Sequence, residues 1–191
     1  MSITLFTVFH FILGSFLNQS DEYFPNKSKV LTTEFNKSEN FFPIATLDLT
    51  SKGIKDKIHV IFVCFDPAID HYEPFPEGDY IDNYSFEITN DGLYNPTFNK
   101  TALDIGNKYL KYFVEGKSKF NDSKSESTSS LIRFYERPMW LQSNDTPKNS
   151  KGENMKFICQ MEVYKVFNDD CWLYVFYDEM DRKVEYVLQR G

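Results

Sequence analysis

Seven asparagines stand two residues ahead of a serine or threonine with no proline between: Asn18, Asn26, Asn36, Asn83, Asn99, Asn121 and Asn144. The chemistry of that spacing is transfer of an oligosaccharide to the side-chain amide, and it reaches only chains that enter the secretory lumen. Asn95-Pro96-Thr97 has the same outline, but its proline forbids the reaction. Upstream, Ile3 to Leu17 (ITLFTVFHFILGSFL) carries no charged residue. It has the length of a signal-peptide apolar region and falls short of the ~20 residues of a membrane-spanning helix. The two signals agree. They predict a signal peptide over 1–17, cleaved somewhere in 14–20, and glycans at Asn26, Asn36, Asn83, Asn99, Asn121 and Asn144.

Thiol chemistry is the next possibility, from Cys64, Cys159 and Cys171. Their spacing matches no zinc motif, and all three are disulfide candidates in an oxidising compartment. If 167–171 is a tight hairpin, Cys159 lies eight residues along the strand from the position facing Cys171. That is on the order of 26 Å at about 3.3 Å per residue, beyond the ~7 Å Cα limit, so a bridge would join Cys64 to one of the others. Acid–base chemistry has little to work with. His59 falls in an apolar run and reads as structural, and His71 sits in an acidic stretch and reads as solvated. Nucleophile-elbow, phosphate-loop, dinucleotide-binding and His-Glu-x-x-His motifs are missing, so no catalytic residue and no cofactor is assigned. Asp66, Asp70, Glu77, Asp79 and Asp82 are hard oxygen ligands, yet their spacing is not that of a calcium-binding loop, and no metal is assigned.

The net charge of −7 argues against nucleic acid and against an electrostatic membrane anchor. Nineteen Phe and twelve Tyr supply ample material for a packed interior. Residues 18–44 are polar and read as an exposed leader, with a single domain over 45–191. Ala45 to Thr50 is a short strand, and Lys57 to Phe65 a strong one, apolar on both faces and hence covered on both sides. An acidic, proline-broken connection over 66–98 holds a further strand at Tyr84 to Thr89. The best helical stripe is Ala102, Ile105, Gly106, Tyr109, Leu110 and Phe113, capped from Asn99 or Thr101 and stopped at Gly116. Lys117 to Ser130 reads as a polar loop. Four strands close the chain: Leu131 to Tyr135, Met155 to Phe167, Cys171 to Tyr177 and Val184 to Gln189. In the second, odd positions are apolar and even ones carry Lys156, Gln160 and Glu162, which predicts a wet sheet face.

These elements define an α+β fold, one main helix packed on a curled antiparallel sheet of about four to five strands. Over Lys57 to Gln189 the element order resembles that of the cystatin-like and NTF2-like folds. Inhibitory cystatins use a Gln-x-Val-x-Gly hairpin and a Pro-Trp hairpin. This chain has Glu136-Arg-Pro-Met-Trp140 and no Gln-x-Val-x-Gly, so the resemblance extends to order and not to inhibition. Arg137 and Trp140 mark the best recognition loop, since Arg and Trp dominate interface energetics. The function expected is that of a secreted N-glycosylated protein acting by binding an extracellular protein, without a membrane span after signal removal. The alternative is a small ligand carrier or hydrolase-like enzyme with an aromatic-lined cavity.

Overall fold

A computed structural model describes residues 21–66, 83–98, 100–125 and 130–191. The apolar segment 1–17, the sequons at Asn18 and Asn99, His71 and residues 67–82 of the acidic connection lie outside the described residues. The described residues form an α+β fold of one α-helix and two antiparallel sheets. A three-stranded sheet runs in the order β1 (Glu22–Tyr23), β2 (Phe41–Leu47), β3 (Ile58–Val63). An open five-stranded sheet has the order β5-β4-β8-β7-β6, built from β4 (Tyr84–Ile88), β5 (Tyr94–Pro96), β6 (Lys156–Glu162), β7 (Cys171–Asp178) and β8 (Lys183–Arg190). The sequence pattern foresees a single sheet; the strands expected near 45–50 and 57–65 join β1 in a separate, smaller one.

The expected exposed leader is packed instead. Val30 and Leu31 are wholly buried, Phe35 nearly so, and a bridge joins Leu31 to Tyr94. One hydrophobic cluster runs from Val30 to Leu188, with Tyr23 and Phe24 packed against it, so the segment 21–44 is anchored in the core by its apolar residues. Strand β2 starts earlier than expected, through Phe41 and Phe42, and tolerates Pro43 because the register shifts between Pro43 and Ala45. A bulge is one of the few sheet positions where the missing proline N–H costs no ladder bond.

Strand β3 is buried along its whole length and is an edge of its sheet, with backbone groups facing away from β2 that need partners. Tyrosines of the other sheet supply them. Tyr84 donates its hydroxyl to the Ile61 carbonyl at 2.7 Å, Tyr186 donates to the His59 carbonyl, and the His59 N–H donates to the Tyr94 hydroxyl at 3.0 Å. All three tyrosines are fully buried. Phenol groups thus replace a missing strand.

Helix α1 spans Leu110–Ser123, about two turns later than the stripe predicts. Residues Lys100–Leu103 form only a short 3-10 turn, and the Gly106 N–H is taken by the Asp66 carboxylate at 2.7 Å, so the chain turns there before the helix starts. The inward positions are Phe113, Gly116, Phe120 and Ser123. Phe113 and Phe120 pack edge-on to Phe42 of β2. Gly116 is therefore a contact and not a stop. A Cβ there would stand 2.2 Å from Cζ of the buried Phe167 ring. The helix lies on the smaller sheet through Phe42, and the polar run expected as loop is helical as far as Ser123.

Candidate functional site

The outward face of the five-stranded sheet is where sequence and structure diverge most. Strand pairing aligns Gln160 with Tyr174, Tyr174 with Val187, and Trp172 with both Glu162 and Gln189. This face carries its own apolar cluster of Met155, Tyr174, Phe176 and Val187, with Trp140, Phe157 and Trp172 packed against it. The face expected to be wet is covered at its centre, where Gln160 has no exposed surface, while Lys156 stays exposed and Glu162 is half-buried. A register shift between Phe157 and Cys159 sends Phe157 outward while Cys159 and Met161 stay in the main core. The signal was present in the Trp172, Tyr174, Phe176 alternation of β7, which puts aromatics on the same face as Gln160.

What covers the face is the segment after Leu131. The expected strand over Leu131 to Tyr135 reduces to one bridge between Arg133 and Gln160. Beyond it the chain crosses the sheet as a loop held by buried side chains. The Met139 N–H donates to Gln160 Oε1 at 2.8 Å, and Tyr174 donates its hydroxyl to the Met139 carbonyl at 2.9 Å. Gln189 grips the far end. Its Oε1 accepts the N–H groups of Leu141 (3.0 Å) and Gln142 (3.1 Å), and its Nε2 donates to the Ser143 carbonyl (2.8 Å) and to Asp145 Oδ2 (2.6 Å). Trp140 lies nearly parallel to Phe176 and 4.5 Å from Tyr174, so it anchors the loop. Arg133 pairs with Glu162 and lies over the Trp172 ring.

With the backbone fixed from below, the loop turns apolar groups outward. Met139 is 59% exposed, Leu141 45%, Tyr135 44% and Phe134 39%, and Arg137 between them is exposed as well. Of the two residues singled out from sequence, Arg137 is on the surface and Trp140 is half-buried. Met139 and Leu141 fall in the stretch Arg137 to Leu141 expected as the exposed patch, and both are exposed; the supporting roles of Gln160 and Gln189 were missed. Polar residues on a strand read as solvent-facing unless a covering segment is known.

The other candidate chemistries resolve differently. His59 is 3% exposed. Its ring contacts Thr46 Oγ1 at 2.9 Å through Nδ1 and the Gly92 carbonyl at 3.3 Å through Nε2. A neutral ring with its proton on Nε2 satisfies both. Burial pulls its pKa down to about 4, against small opposing contributions that include the Gly92 bond.

All three cysteines are buried free thiols, and no bridge joins Cys64 to either of the others. Cys159 faces Val175, four residues along β7 from Cys171, which is roughly 13 Å at the strand rise. Burial pushes the Cys64 thiol up to about 12, and Asp169 adds to the effect. Cys171 is pushed higher still by burial, and its thiol bonds to Asp169. That carboxylate also accepts from Tyr112 and pairs with Arg190 at 3.0 Å, and burial raises its own pKa. A carboxylate beside a thiol opposes thiolate formation, the reverse of what a nucleophilic cysteine needs.

Asp66, one of the weighed oxygen ligands, is buried against Gly106. Among the described residues no group of three or more His, Cys, Asp or Glu could hold a metal. A shallow groove open to solvent lies between 38–40 and α1, lined by Asn40, Leu103, Ile105 and Phe113. No described helix is long and apolar enough to cross a membrane.

No protein-family model, no curated protein and no solved structure matches this chain.

Proposed function

We propose that this is a secreted, N-glycosylated protein that works by binding an extracellular protein partner through the loop Phe134 to Leu141. The observation that carries the reading is a preorganised apolar tip. Met139 and Leu141 stand out from a backbone fixed by Gln160, Tyr174 and Gln189, and Arg137 just before them is exposed too. A loop held in place loses little conformational entropy on docking, so more of its contact energy appears as affinity. Exposed Met, aromatic and Arg side chains around a packed Trp have the composition of an interface centre. The raised thiols and neutral, buried His59 leave these groups suited to packing rather than to catalysis. Sequons and the apolar segment 1–17 support the lumenal route.

The test titrates fluorescently labelled protein onto cell surfaces, comparing wild type with the triple variant Arg137→Ala, Met139→Ser, Leu141→Ser. Saturable binding lost by at least about tenfold in the variant, at unchanged thermal stability, is the expected result. Equal binding by the two proteins, or no saturable binding to any surface, would overturn the reading.

A further inference from the structure

The five described sequons differ in where the hydroxyl of the third residue goes. In two of them it closes back on the asparagine. Ser28 donates both its N–H and its hydroxyl to Asn26 Oδ1, each at 3.0 Å. Thr146 does the same to Asn144 Oδ1, at 3.2 Å and 2.7 Å. Both asparagines are exposed. Elsewhere the hydroxyl is committed to another group. Ser38 donates to Asn40, Ser123 donates to the Phe120 carbonyl, and Ser85 shares a 2.6 Å hydrogen bond with Thr97. Ser85 is 2% exposed, and Asn83 beside it 8%.

We infer that Asn26 and Asn144 carry the N-glycans of the folded protein and that Asn83 is left unmodified. The inference rests on the lumenal route proposed above. In the transfer, Asn Nδ2 forms a bond to C1 of a lipid-diphosphate-linked oligosaccharide. The C1–O bond to the diphosphate breaks, the lipid diphosphate leaves with that electron pair, and the amide proton goes to solvent. The closed turns at Asn26 and Asn144 use hydrogen bonds spanning only two residues, so the tripeptide can form them before the fold exists. Their Oδ1 atoms are engaged and their amide nitrogens sit on exposed side chains.

Asn83 is the opposite case. The partner of Ser85 is twelve residues away in sequence, at Thr97, and meets it only once β4 is in place. A glycan on Asn83 would have to be buried at the start of β4, next to the fully buried Tyr84 that caps Ile61. A chain so modified could not close its core, and the folded, secreted pool would exclude it. A glycan on Asn144 would break none of the bonds that hold the loop. Gln189 grips Ser143 and Asp145 on either side and leaves the Asn144 amide alone.

The test is site-by-site glycopeptide mapping of the full chain from a eukaryotic secretory host. One sample is expressed with its own N-terminus, the other behind a strong cleavable secretion leader. Glycans at Asn26 and Asn144 with bare Asn83 are expected in the secreted, folded material. Single variants Asn26→Gln and Asn144→Gln, both at exposed positions, should each remove one glycan from the intact mass. A glycosylated Asn83, or a bare Asn26 or Asn144, in the leader-driven sample would overturn the inference whatever the natural N-terminus does. Failure of only the natural N-terminus to deliver the chain would overturn the lumenal reading instead.

Discussion

Replacing Gln189 by methionine keeps the length and apolar stem of a side chain that is 2% exposed and removes its amide. Four hydrogen bonds disappear, to Leu141, Gln142, Ser143 and Asp145. The Leu141 N–H keeps a second acceptor, the Tyr174 hydroxyl at 3.2 Å. Three loop groups lose their buried partner, at about 1 kcal/mol each and more for the bond to the Asp145 carboxylate. Gln142 and Ser143 are exposed and can turn to water, which returns part of that. A net loss of about 2–3 kcal/mol follows, taken largely as release of the loop and of Trp140 from Tyr174 and Phe176. Gln160→Met is the internal control. Gln160 makes one side-chain bond, to the Met139 N–H, and its Nε2 is a buried donor without a partner among the described residues. Removing that donor offsets the lost bond, so the control should cost about 0–1 kcal/mol. Urea denaturation in a Trp172→Phe background, followed by Trp140 fluorescence, reads both stability and loop position. Equal midpoints for the two variants, or a Trp140 emission unshifted in Gln189→Met, would refute the stapled-loop account.

Further expectations concern the core. Tyr186→Phe and Tyr84→Phe each orphan one β3 carbonyl, of His59 and Ile61, and each should cost about 1–3 kcal/mol in urea denaturation; losses below about 0.5 kcal/mol would mean that β3 does not depend on these phenols. His59 stays neutral when folded because its pKa is lowered from 6.5 to about 4, whereas the unfolded chain takes up a proton below 6.5. Its contribution is therefore constant above that pH and is lost as pH falls from 6.5 towards 4, by about 2 kcal/mol at pH 5. His59→Gln should flatten the stability–pH curve over that window, and an unchanged slope would show that the ring is protonated in the fold. With Cys64 near 12 and the other two thiols raised further by burial, native alkylation at pH 8 should run at least about a hundredfold slower than in denaturant. Fast native labelling of any thiol would contradict their burial.

Much of the framework was legible because it is local. Strands β3, β7 and β8 announce themselves as apolar runs bounded by turn residues, and the structure places them within one or two residues of the pattern. The helix was misplaced for a tertiary reason. Its inward face is spaced Phe113, Gly116, Phe120, and Gly116 reads as a terminator until the Phe167 ring beneath it is known. The leader was misread because Val30, Leu31 and Phe35 are single apolar residues in a polar run, buried only through contacts distant in sequence, such as Leu31 with Tyr94. At the site, Arg137 was legible by type. Its support was not, because Gln160 and Gln189 serve a loop that no strand periodicity encodes.

The most direct measurement is the intact mass of the full chain, with its own N-terminus, recovered from medium and from cells of a eukaryotic secretory host. Masses are taken before and after enzymatic deglycosylation. The account predicts protein in the medium that has lost an N-terminal segment ending within 14–20 and whose mass drops on glycan removal. Full-length, unglycosylated protein retained in the cells would contradict it.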